Sequence, residues 1–133
     1  MMARRLPAFA WLCLAFVLVP AGCSSRQPSL SRVLHVVVRP SLMNSNTGVI
    51  QLTNTSPKPL HKLTVYLRSR DRNQRTSYNV TELKPSERTE IGLLETSWAL
   101  EPNEEITITC EEFSPLRLAT HRASNGTVGI REI

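Results

Sequence analysis

The sequence predicts an all-β fold: a single sandwich of about seven strands occupying residues 32–133. Three observations predict it. Apolar residues recur at every second position in short runs, and clusters of Pro, Gly, Asn and Ser separate those runs. No window of about a dozen residues carries a helical stripe of apolar positions.

Taken in order, the strands are argued from alternation, because successive side chains of a strand point to opposite faces. Val33–Val38 places Leu34, Val36 and Val38 on one face and turns His35 outward. Ile50 and Leu52 alternate with Gln51 and Thr53. The run Leu63–Arg68 is the cleanest, with Leu63, Val65 and Leu67 inward. Ile91 and Leu93 follow, then Ile106, Ile108 and Cys110 alternating with Thr107 and Thr109. Leu116 with Leu118, and Val128 with Ile130, complete the set.

An internal echo marks two of the turns. Leu83–Ile91 and Leu100–Ile108 share the pattern L-x-P-[S/N]-E-x-x-x-I. The proline presets φ at the first corner, the small polar residue tolerates the second, and a strand then resumes. This turn, the Asn54-Thr55-Ser56 cluster after an early strand, and the rhythm of "EIGLLETSWALEPNEEITITCEEFSP" resemble the immunoglobulin-like or fibronectin-type modules of bacterial envelope proteins. The resemblance spans residues 32–122 and implies a fold, not an activity. The disulfide and core Trp spacing of antibody domains are absent.

The start of the chain predicts an address. Arg4 and Arg5 precede an uncharged run, Leu6–Val19, which is bracketed by Pro7 and Pro20 and ends at the small residues Ala21 and Gly22. That is the layout of an export signal over residues 1–22, and it is too short for a spanning helix of about 20 apolar residues. Val19-Pro20-Ala21-Gly22-Cys23 resembles the lipobox of bacterial lipoproteins, although Pro20 stands where that family favours an aliphatic residue. The resemblance implies cleavage before Cys23 and acylation of its sulfur. Ser24, in place of an Asp, then implies the outer rather than the inner membrane. One acyl chain holds a protein only marginally, whereas two or more anchor it stably. An unacylated Cys23 bridged to Cys110 is the competing reading. Residues 24–31 (SSRQPSLS) are polar and aperiodic, so residues 23–31 are expected to be an acylated cysteine and a tether.

Composition narrows the function. The chain has 133 residues and a formal charge of +5; without Arg4 and Arg5, 14 basic residues face 11 acidic ones, a balance of +3. Beyond residue 22 the aromatics are Tyr66, Tyr78, Trp98 and Phe113, too few for a base-stacking platform, so no nucleic-acid partner is expected. Adjacent glutamates (Glu104-Glu105, Glu111-Glu112) point to opposite faces of a strand and cannot form a facing catalytic pair; solvated surface is expected for them. His35, His61 and His121 lack ligand spacing, and Cys110 falls in phase with core residues. No catalytic residue, metal or cofactor is expected. The rival reading is a lipid-anchored metal-handling protein or enzyme using His and Cys110. A third reading, a secreted eukaryotic glycoprotein, rests on the acceptor patterns at Asn54, Asn79 and Asn125.

The candidate surface-binding residues are Arg68, Arg70, Arg72 and Arg75 in "RSRDRNQR", together with the loop residue Trp98. The arginines are expected to crown a hairpin, either as a basic tip towards an anionic surface or as charge that keeps the hairpin soluble and free of edge pairing. Trp98 either marks a contact surface or caps the core. The expected protein is a lipid-anchored, non-catalytic binding or structural module. Its partners would be the membrane, an envelope protein, or an anionic lipid or glycan surface.

Overall fold

The computed structural model describes residues 26–133, and the export signal, the lipobox and Cys23 lie outside the described residues. A 3-10 turn, Leu30–Arg32, precedes eight strands: β1 (Leu34–Pro40), β2 (Gly48–Asn54), β3 (Leu60–Ser69), β4 (Gln74–Leu83), β5 (Arg88–Ile91), β6 (Glu104–Thr109), β7 (Leu116–Arg122) and β8 (Val128–Glu132). One short helix, α1 (Leu93–Thr96), lies between β5 and β6. The strands form two antiparallel sheets, β1-β2-β5 and β4-β3-β6-β7-β8, that face one another as a single sandwich. In immunoglobulin lettering, β1-β2-β5 takes the A-B-E places and β4-β3-β6-β7 the C′-C-F-G places, with β8 added beyond G.

The alternation in the sequence is what fills the space between the sheets. Leu34, Ile50, Leu52 and Ile91 from one sheet meet Leu63, Val65, Leu67, Ile106, Ile108, Leu116 and Leu118 from the other, all buried. Each such side chain contributes about 1.5–3 kcal/mol on removal from water. The parity argument for β3 and β6 therefore holds residue by residue.

Three expectations need correction. The eighth strand is β4, whose inward residues Thr76, Tyr78 and Val80 are only half-buried at the sheet edge and so carry a weak apolar signal. Leu93 does not continue a strand: it opens α1, where the Glu95 carboxylate accepts from the Gly92 N–H at 2.8 Å and Ser97 closes the turn at φ 54°. The domain also starts earlier than residue 32. Leu30 is fully buried, and the Ser114 N–H donates to the Pro28 carbonyl at 3.0 Å, so Pro28–Ser31 belongs to the fold.

The repeated turn has a shared mechanism. Ser86 and Asn103, the residues after the two prolines, sit at φ 63° and 65°. In the first turn the Glu87 carboxylate folds back to accept from the Lys84 N–H at 2.7 Å, and in the second Glu104 accepts from the Glu101 N–H at 3.1 Å. The glutamate of the pattern is thus a clamp on its own turn. The first turn is docked by Asn54, which is fully buried. Its amide donates to the carbonyls of Lys58 and Leu83 at 2.7 and 2.9 Å, and its Oδ1 accepts from the Ser56 N–H at 2.9 Å. That amide nitrogen is consumed by the fold and is not a glycan acceptor in the native state. Replacing Asn54 with Ala leaves these groups unpaired, so Asn54→Ala should lose about 2–4 kcal/mol in urea denaturation with an unchanged m-value.

On the outward face of β1-β2-β5, the Arg39 guanidinium forks onto Glu90 at 3.0 and 2.6 Å, and Gln51 donates to the same carboxylate. These bonds hold the Glu90 carboxyl down at about 2, against an ordinary value of 4.5. A depressed folded value stabilises the native state above the unfolded value and loses that contribution as pH falls from about 4.5 through about 2. Thermal melts across that window should therefore fall less steeply with acidification in Glu90→Gln than in the parent chain.

Candidate functional site

The outward face of the five-stranded sheet gathers the basic residues. Because Val65 and Leu67 point into the core, Tyr66 and Arg68 point out, and antiparallel pairing brings their partners alongside. One row across the sheet reads Arg75, Arg68, Glu105, Ala119, Arg131; the next reads Ser77, Tyr66, Thr107, Arg117. Arg70, just past the end of β3, reaches the same carboxylate. Five arginines therefore surround Glu105, which is ion-paired with Arg70 and, at 3.8 Å, with Arg68. Arg75, Arg117 and Arg131 take part in no ion pair among the described residues.

A groove of about 520 Å³ runs over this face, lined by Tyr66, Arg68, Arg75, Ser77, Thr107 and Arg117, with Glu105 at one side. The Tyr66 side chain is on the open side of the sheet, 48% exposed. The groove thus offers an aromatic face, hydroxyls, and guanidinium groups whose hydrogen-bond donors are not spent among the described residues.

Arg72 does something different from its neighbours in sequence. Its guanidinium turns back over the end of the sandwich and ion-pairs with Glu104, whose side chain is 2% exposed. The Trp98 Nε1–H donates to the other oxygen of that carboxylate at 2.9 Å, and the Arg72 guanidinium lies 4.5 Å from the Trp98 ring centroid. Thr120 completes the arrangement: its hydroxyl accepts from the Glu104 N–H at 2.8 Å and donates to the Glu101 carbonyl at 2.6 Å. Glu104 is therefore not solvated surface, as its acidic pair suggested. It is a buried charge with a cation, an indole and a backbone donor arranged around it.

Of the sequence candidates, the structure brings Arg68, Arg70 and Arg75 together, commits the guanidinium of the still exposed Arg72 to Glu104, and buries Trp98. Trp98 is buried at 6% exposure and caps the end of the core, so it offers no contact surface. Arg117, Arg131 and Tyr66 were missed. The parity of β7 and β8 was the available signal: Arg117 lies between the inward Leu116 and Leu118, and Arg131 follows the inward Ile130.

Cys110 sits at the opposite end from Arg72. Its thiol donates to the His61 carbonyl at 3.3 Å, and burial pushes its pKa above the ordinary value, keeping the sulfur protonated and unreactive. His35 is exposed on the other sheet, His61 is exposed near the start of β3 and His121 lies on β7. Among the described residues no three His, Cys, Asp or Glu side chains gather as metal ligands, and no helix is long and apolar enough to cross a membrane. Compared with known proteins, the chain matches no family model, no curated protein and no solved structure.

The two kinds of arginine should separate by stability. Removing one partner of a buried ion pair costs about 3–5 kcal/mol, whereas exposed substitutions fall within about 0.5 kcal/mol. Arg72→Ala should thus lower the urea midpoint sharply, while Arg75→Ala and Arg117→Ala leave it nearly unchanged. A double-mutant cycle of Arg72→Ala with Glu104→Gln should show strong coupling.

Proposed function

We propose that this chain is a lipid-anchored envelope protein, held by acyl chains on Cys23 in the outer membrane. Its sandwich serves as a non-catalytic binding module, and its contact surface is the basic outer face of the five-stranded sheet. The observation that carries the reading is the row arrangement of Arg68, Arg70, Arg75, Arg117 and Arg131 around the single carboxylate of Glu105.

The position of the face relative to the chain start supports it. Folding from Pro28 leaves four residues, 24–27, between the acylated cysteine and the domain, a reach of at most about 18 Å from Cys23 to Pro28. Pro28 docks on Ser114, at the end of the sandwich where β3 begins with Leu60. Arg68 lies eight residues further along β3, about 27 Å away at the usual rise. The row of Arg68, Arg75 and Arg131 thus sits towards the end of the domain remote from the anchor, where envelope components other than the anchoring leaflet are met. Arg117, three residues past Ser114, lies nearer the docked chain start.

Two measurements test this reading. Intact mass of the detergent-extracted protein should show Cys23 as the first residue carrying acyl chains, and Cys23→Ala should move the protein to the soluble fraction. The extracted full chain should sediment with isolated envelope fragments, and the pair Arg75→Glu, Arg117→Glu should weaken that association about tenfold or more. An unmodified amino terminus elsewhere, or envelope association indifferent to both charge reversals, would refute it.

A further inference from the structure

We infer that the groove over Tyr66 binds a carboxylate-bearing carbohydrate, with a sugar ring laid on the Tyr66 face and its carboxylate taken by Arg75 or Arg117. This rests on the reading of the basic face as the contact surface and names the chemistry of its ligand.

The groove combines three features that an acidic sugar needs together. The half-exposed Tyr66 ring offers an apolar face to the C–H side of a pyranose. Ser77 and Thr107 place hydroxyls, each both donor and acceptor, along the walls for the ring hydroxyls. Arg75 and Arg117 supply planar guanidinium forks that match a carboxylate and are held by no ion pair among the described residues. The volume, about 520 Å³, lies within the range of about 300–1,000 Å³ usual for small-ligand sites and exceeds what an isolated anion fills.

Glu105 sharpens the choice. Its carboxylate borders the groove, so a doubly charged phosphate would meet repulsion that a singly charged carboxylate meets less, while a sugar hydroxyl can donate to it. A bilayer surface fits less well. Insertion into a bilayer needs several exposed aliphatic residues beside the cations. Among the described residues only Ile133 stands there, next to Arg70 and Arg131, while the exposed Leu42, Met43, Leu93 and Leu94 line a separate cavity with Arg39 and Glu90.

The test is calorimetric titration of the full chain in detergent micelles with a galacturonate oligosaccharide. Neutral dextran and phosphatidylglycerol vesicles are the comparisons. Saturable binding of the galacturonate is expected, with none of dextran. The dissociation constant should rise about tenfold or more in Arg75→Glu, Arg117→Glu and several-fold in Tyr66→Thr, a substitution that keeps strand preference. Each variant is first shown to melt cooperatively, and Tyr66→Phe, which keeps the ring, should bind as the parent does. The inference is overturned if galacturonate does not bind saturably, or if Tyr66→Thr binds it unchanged. It is equally overturned if phosphatidylglycerol vesicles bind with the same arginine dependence and galacturonate does not. Envelope sedimentation that keeps its arginine dependence while galacturonate fails would sink the carbohydrate alone. Loss of the dependence in both would sink the underlying reading.

Discussion

A carboxylate buried at one end of the sandwich, that of Glu104, is the constraint to which the surrounding structure answers. An unpaired charge there would cost several kcal/mol, and several elements arriving at that end deliver a partner. The β3–β4 hairpin delivers Arg72, the segment after α1 delivers Trp98 Nε1–H, and the turn into β6 delivers the Glu101 N–H. Thr120 of β7 bridges the same turn through its hydroxyl. Three separate pieces of chain thereby close on one side chain, and a fourth, β7, holds the backbone beside it. The register of β3, β6 and β7, and with it the outward arginine rows, is fixed at this end by that closure.

The same constraint sorts charge between two faces. Glu104 and Glu105 are neighbours in sequence, and strand parity sends one inward and the other outward. Arg70 and Arg72 follow them, one to each. The inward pair rigidifies the end of the fold, and the outward carboxylate holds Arg68 and Arg70 beside it. What remains uncommitted is Arg75, Arg117 and Arg131, spread across three strands. Exposed ion pairs contribute little to stability, so the outward cluster is poorly explained as a stabilising device. The anionic ligand proposed for this face would give the cluster a role.

How far the sequence could be read depended on where apolar side chains sit. β2, β3 and β6 were legible because their inward positions are aliphatic and deeply buried, and β1 because Leu34, Val36 and Val38 alternate even though only Leu34 is fully buried. β4 escaped because an edge strand half-buries Thr76, Tyr78 and Val80 and spaces them with polar residues. Leu30 escaped because one buried leucine in a polar segment has no period. The site was legible only where its residues are close in sequence. Arg68, Arg70 and Arg75 share one hairpin, whereas Arg117 and Arg131 come from later strands and join the face only through register. Arg72 stands in the hairpin turn as expected, but its pairing escaped for the converse reason: its partners, Trp98 and Glu104, are distant in the chain.

The repeated L-x-P-[S/N]-E turn shows how one local device serves two ends of the sandwich. In both copies the glutamate accepts from the N–H of the residue before the proline, which stabilises the corner whatever surrounds it. Glu87 remains at the surface and does only that, while Asn54 docks its turn from inside. Glu104 is covered by the Trp98 ring and Arg72, so the same backbone contact becomes the seed of a buried network. A turn that already holds a carboxylate against its own backbone lowers the cost of burying that carboxylate, because one of its acceptor sites is satisfied before any tertiary partner arrives. The remaining demand, for a cation reaching in from the surface, is met by a long guanidinium side chain lying over an indole. The structure thereby gains a rigid end beside the basic face without a disulfide among its described residues.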